Sequence, residues 1–196
     1  MRSANTWKSK SILALKDLVV IGLMVATIEV AKMTLAFLPN IELTSFLLIL
    51  YTLTFGLKTL PAIPVFILIE GSVYGFSLWW LMYLYAWPLL VGLTLLMKKN
   101  TSVWFWSILS GLFGLFFGAL CSIPYFFIGA FGAGGSIRAG LIQQATWWVA
   151  GIPWDLVHCA GNFTLMLVLY HPIRRILKRC YAFLYPPEAK TKEDHS

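Results

Sequence analysis

The sequence predicts an all-α integral membrane bundle of six transmembrane helices with both termini in the cytoplasm. Three observations lead there. Of 196 residues, 59% are hydrophobic and only 12% charged, and the mean hydropathy is +0.78, outside the range of ordinary soluble domains. The apolar residues run in long segments without the period-two alternation of a β-barrel, and backbone groups in lipid must then bond within their own segment, which forces helices. The third observation is charge placement. Of the fifteen Lys and Arg residues, all but Lys32 and Arg138 lie at alternate junctions between segments. Arg2, Lys8, Lys10 and Lys16 precede the first segment, Lys58 follows the second, and Lys98 and Lys99 follow the fourth. Arg174, Arg175, Lys178, Arg179, Lys190 and Lys192 follow the sixth. Cytoplasmic loops keep Lys and Arg, so these junctions and both termini belong on the cytoplasmic side.

The spans follow from a required apolar length of about 20 residues, shorter where protein covers the ends. They read as Leu18–Leu38, Ile41–Leu57, Leu60–Phe76, Leu78–Met97, Val103–Phe131 and Gln144–Tyr170. Residues 1–17 form a cytoplasmic N-terminus, 18–170 the helical bundle, and 171–196 a basic juxtamembrane segment with a disordered polar tail from Pro186. The basic start resembles a signal peptide, but the first apolar run exceeds a normal h-region and lacks a small-x-small cleavage site, so it is expected to persist as a helix. Three outer loops are expected, at Pro39-Asn40, near Gly71–Ser77, and at the glycine-rich Gly129–Gly140. The last is the expected mobile segment, a lid or a plain connector. No internal repeat suggests an inverted-repeat transporter. Cys121, Cys159 and Cys180 form no disulfide or zinc pattern. The net charge of +7 lies beside membrane segments, so anionic lipid rather than nucleic acid is the expected partner.

Polar residues within spans are costly and are candidates for function. Glu29 and Lys32 are three apart, and a self-neutralising structural pair is the favoured reading. Asn40 and Glu42 follow the first outer loop, and Glu70 closes the third span. Either carboxylate can hold a ligand's amine or amide, or simply cap a helix end in water. In the sixth span Trp148, Gly151, Asp155, His158 and Asn162 fall at spacings of three, four, three and four, one stripe of a helix. That stripe must face the bundle interior, as a binding surface or as a polar network fixing helix packing. Asp155 and His158 can hydrogen-bond each other there, and Pro153 is expected to kink the helix.

Trp79, Trp80, Tyr83, Tyr85 and Trp87 crowd the fourth span, and Trp147 and Trp148 open the sixth. An interfacial belt is the default. Trp79, Tyr83 and Trp87 nevertheless repeat every four residues and, with Trp148, can line a pocket for a flat ligand. Asn100-Thr101-Ser102 spells a glycosylation acceptor but sits on the cytoplasmic side. Small residues mark helix contacts. Gly111, Gly114 and Gly118 are expected to pack internally, whereas Gly22 and Ala26 lie where a partner protein can reach them.

These features together resemble the substrate-binding S-components of energy-coupling factor (ECF) vitamin transporters. The match covers about residues 12–180 and rests on three strings: Leu38-Pro39-Asn40-Ile41-Glu42-Leu43; Glu70-Gly71 to Tyr74-Gly75-Phe76; and Gly151-Ile152-Pro153-Trp154-Asp155 with His158 and Gly161-Asn162-Phe163. Similar strings occur in members from Gram-positive bacteria, which implies a plasma-membrane location. The resemblance implies a subunit that captures a vitamin near the outer face, docks on a membrane coupling subunit carrying two cytoplasmic ATPases, and releases its cargo inside. Residues 18–170 are then the substrate-binding domain, with Asn40, Glu42, Glu70, Tyr74, Trp79, Tyr83, Trp87, Trp148, Asp155, His158 and Asn162 as candidate ligand contacts. The family's Ala-x-x-x-Ala docking motif corresponds to Gly22 and Ala26 here. No vitamin-specific pattern is present; a cobalamin-type ligand leads, with riboflavin, pantothenate and a queuosine precursor as alternatives.

On this reading the chain is not an enzyme, has no catalytic or metal-binding residues, and holds no cofactor, ATP being used by its partners. An intramembrane enzyme with Asp155 and His158 as acid and base is the first rival, but no nucleophile motif or metal-ligand set accompanies them. A small channel or scaffold is the second.

Overall fold

A computed structural model of the chain describes residues 14–186, and every described element is helical. The expected N-terminal segment with Arg2, Lys8 and Lys10, and the polar tail with Lys190 and Lys192, lie outside the described residues.

Helix α1, Leu15–Leu35, has 21 residues, about 32 Å at 1.5 Å per residue. Its start is held by Asp17, which accepts the Ala14 N–H at 3.0 Å and so satisfies an orphan donor of the first turn. Helix α2, Thr44–Phe55, is apolar on all sides and almost wholly buried, as a helix enclosed by others must be. A 3-10 turn, Gly56–Thr59, joins it to α3, Ala62–Tyr74. Gly56 has φ 61°, a conformation that costs glycine nothing. Helix α4 spans Leu78–Met97, α5 Val103–Leu115, α6 Phe117–Cys121, α7 Ile123–Phe131 and α8 Ile137–Leu184.

The chain is that of a helical membrane protein. By length and composition, α1, α4 and α8 can each cross a bilayer. The unit α2–α3 is bent by 110° and α5–α7 by 40°, which raises the count to five if each bent pair is one span. The sequence predicted six. The difference lies in α2 and α3, of 12 and 13 residues, each about 20 Å or less against a hydrocarbon core of about 30 Å. The long fifth segment is broken at Phe116. The sixth is only the middle of α8, whose 48 residues extend for about 72 Å and run unbroken through Pro153 and Pro172, with no interruption at the expected kink.

Seven hydroxyl groups in the apolar helices are absorbed locally. Thr27, Thr34, Thr52, Thr54, Ser72, Thr94 and Ser107 each donate to the carbonyl four residues back, the usual solution where no water is at hand.

Two glycine sets close the bundle. Gly111, Gly114 and Gly118 lie against α8: an added Cβ at Gly111 would meet Phe163 at 3.2 Å, one at Gly114 the His158 carbonyl at 2.9 Å, and one at Gly118 the Asp155 carboxylate. The order of these contacts makes α5–α6 and α8 antiparallel. The set therefore packs internally, on the polar stripe of α8. Gly129 and Gly140 lie in α7 and α8, where a Cβ on Gly140 would meet the Phe126 carbonyl at 2.6 Å. Half of the expected mobile loop is thus tight helix packing, and only Gly132–Ser136 connects the helices. The second expected loop is likewise short, because α3 continues to Tyr74.

At one end of the bundle, the start of α1, the 3-10 turn and the end of α8 are clasped together. Asp17 accepts from Lys58 at 2.7 Å and from the Tyr185 hydroxyl. Lys58 stands 3.8 Å from the Tyr185 ring centre, with Lys16 at 4.6 Å. Both described chain ends and Lys58 thus share one end of the molecule.

Candidate functional site

At the opposite end of the bundle lies a cavity of about 1180 Å³. Its walls come from the C-terminal half of α1, the loop after it, the end of α3, the start of α4, α6–α7 and the first half of α8. Pro39 and Asn40 shape the loop, with Asn40 at φ 55°, which Asn tolerates better than other side-chain-bearing residues.

Of the candidate contacts, Asn40, Glu42, Glu70, Tyr74, Trp79, Tyr83, Asp155 and His158 line this cavity. They come from separate stretches of sequence that only the fold brings together. Trp87, Trp148 and Asn162 do not line it. Trp79, Tyr83 and Trp87 form an edge-to-face ladder with 5.2 Å between successive rings, a favoured aromatic geometry. Only the first two reach the cavity. Trp87 is fully buried beneath them against Phe66, Phe113 and Phe117. Asn162 is buried a turn below the cavity, donating to the Ser110 carbonyl at 3.3 Å.

Trp147 lines the cavity in place of Trp148, stacked on Tyr125 at 4.8 Å. The stripe of α8 does face inward, with Asp155, His158, Asn162, Met166 and Tyr170 all buried. Counting back four from Gly151, rather than three, reaches Trp147, and that alternative spacing was the available signal. Trp154, Phe117, Tyr125 and Lys32 also line the cavity. Of these, Trp154 lies in one of the strings that carry the resemblance, yet no spacing singled it out as a contact.

The charged groups pair differently from expectation. Lys32 bonds Glu70 on α3 rather than Glu29. Its ammonium also sits 3.5 Å from the Tyr83 hydroxyl and over the Phe66 ring at 5.3 Å, a cation–π arrangement. The Glu29–Lys32 pair is therefore corrected: α3 places a more enclosed carboxylate within reach, and Glu29 Oε1 is left buried without a partner. Asp155 and His158 do not bond each other. The break at Phe116 leaves N–H groups of α6 without a partner one turn back, and Asp155 Oδ1 accepts that of Gly118 at 3.0 Å. His158 turns to Glu42, at 3.9 Å, with its ring edge-on to Phe117.

Three buried polar atoms in these walls have no partner within the protein: Glu70 Oε1, Asp155 Oδ2 and His158 Nε2. Unsatisfied buried groups are expensive, and each calls for a partner such as a ligand, an ion or a water. Among the described residues, no three His, Cys, Asp or Glu are grouped to hold a metal ion. Cys121, Cys159 and Cys180 are free thiols. On the outside of α1, Gly22 and Ala26 are exposed, and a Cβ on Gly22 would meet nothing within 4 Å.

What the fold and site define is a helical membrane protein with one end clasped and the other hollowed into an aromatic cavity carrying carboxylates. No protein-family model, curated protein or solved structure matches the chain.

Proposed function

We propose that this chain is the substrate-capturing S-component of an ECF-type ABC importer, with six passes, cytoplasmic termini and a plasma-membrane location. The observation that carries the reading is the cavity of about 1180 Å³ at the end of the bundle opposite the clasped chain ends. With the termini in the cytoplasm, that cavity opens outward, where a scarce nutrient is met. Its volume exceeds the common ligand-pocket range of about 300–1,000 Å³ and suits a large ring system, so a corrinoid is the leading ligand. The walls offer stacking faces from Trp79, Tyr83 and Trp147 and hydrogen-bonding groups from Glu42, Glu70, Asp155 and His158. In this role the chain performs no chemistry: it binds, and partners hydrolyse ATP. The exposed small pair Gly22 and Ala26 lets a partner helix approach closely.

Uptake into proteoliposomes tests this. Transport is expected only when the chain is combined with a coupling subunit and two ATPases and supplied with ATP. Gly22→Leu is expected to abolish transport while leaving ligand binding intact. Flux through the chain alone points instead to a channel.

A further inference from the structure

The cavity's polar groups are out of balance. Glu42, Glu70 and Asp155 line it, against one permanent cation, Lys32. That cation is already committed to Glu70, which leaves Glu42 and Asp155 with no Lys or Arg partner among the described residues; His158 stands 3.9 Å from Glu42.

The acceptors are also enclosed. Glu70 is 2% and Asp155 5% exposed. Each has one oxygen used, by Lys32 and by the Gly118 N–H respectively, and one buried oxygen with no partner. A carboxylate oxygen accepts and cannot donate, so N–H or O–H donors on a molecule in the cavity would satisfy both. An anion brought there meets surplus negative charge at low local dielectric, which disfavours it strongly. Tryptophan and tyrosine faces on α4 and α8 add a negative π surface, again favouring a flat or cationic group.

Resting on the capture reading above, we infer that the ligand is a non-anionic, ring-bearing organic molecule that presents N–H donors, as amine, amide or ring N–H, to Asp155, Glu70 and Glu42. Corrinoids, with their peripheral amides, and amine-bearing heterocycles belong to this class. Carboxylate vitamins such as pantothenate and biotin do not.

The test is calorimetric titration of the purified full-length protein with four probes: cyanocobalamin and thiamine from the donor class, pantothenate and biotin from the anions. The expected result is saturable binding by a donor-class probe and none by either anion at a hundredfold higher concentration. Asp155→Asn and Glu42→Gln keep shape and one acceptor but lose charge, and each is expected to weaken the bound probe at least tenfold. The amide introduced by Asp155→Asn still has an oxygen for the Gly118 N–H, so the melting temperature serves as the folding control. Tight binding of an anion, or a donor-class probe whose affinity neither variant changes, overturns the inference and leaves the capture reading standing. Silence from all four probes with an intact melting transition overturns the inference for corrinoid and thiamine-type donors and leaves the capture reading to be decided by the uptake assay.

Discussion

Gly118→Ala probes the contact on which the site is built. Gly118 presents its N–H to Asp155 Oδ1 at 3.0 Å, and an added Cβ would stand 2.7 Å from that oxygen and 2.8 Å from Cγ. Ordinary contact begins near 3.4 Å, so α6 and α8 must part or the carboxylate must swing away. Asp155 is 5% exposed and has little room to swing. Overpacking of this kind costs about 1–3 kcal/mol, and weakening a hydrogen bond to a charged group adds up to about 1.5–3 kcal/mol. The helix propensity gained by replacing glycine offsets roughly 0.5–1 kcal/mol. The net loss is on the order of 1.5–5 kcal/mol, or a fall in melting temperature of about 3–20 °C at roughly 2–4 °C per kcal/mol. Tryptophan-monitored thermal unfolding in detergent reads it directly. Gly22→Ala is the matched control: its Cβ meets nothing, so only the propensity gain remains and the melting temperature should rise slightly. A rise for Gly118→Ala as well would refute the close seating of α6 on Asp155.

Two further outcomes follow from the ion pairs. Lys32→Met leaves the Glu70 carboxylate buried without its cation, which costs about 3–5 kcal/mol. Lys32→Met with Glu70→Gln should recover much of that loss in the same unfolding assay, and strictly additive losses would deny the pairing. At the clasp, Lys58→Met removes the cation that stands 2.7 Å from Asp17. Wild type should exceed Lys58→Met by about 1 kcal/mol near neutrality, a modest figure because Lys58 is partly exposed. Equal stability of wild type and Lys58→Met would place the stabilisation elsewhere.

Periodicity made some of this legible from sequence. The inward face of α8 was visible in the spacing of Asp155, His158 and Asn162, because a helix that must hide polar groups from lipid aligns them at steps of three and four. The internal role of Gly111, Gly114 and Gly118 was legible for a similar reason, although not that their partners would be Asp155 and His158. Partner choice across the bundle was not legible. Lys32 and Glu70 are 38 residues apart, and local spacing could offer only Glu29. The turn between α2 and α3 was legible from Lys58 between two short apolar runs, whereas its 110° geometry, with Gly56 at positive φ and Pro61 beside it, was not. Trp147 and Trp148 differ by one position, about 100° around a helix, and only the packing of Tyr125 distinguishes them.

The most direct measurement fills the cavity from within. Gly151 lines it, and an added Cβ there meets nothing within 4 Å, so Gly151→Phe places a bulky side chain at the cavity wall with room for its first atom. Wild type and Gly151→Phe would be titrated by calorimetry with the ligand that wild type binds. The expected result is one site per chain in wild type and at least a hundredfold weaker binding in the variant, with its melting temperature unchanged or raised. Undiminished binding by a well-folded Gly151→Phe would contradict the central claim, because the ligand would then sit somewhere other than this cavity.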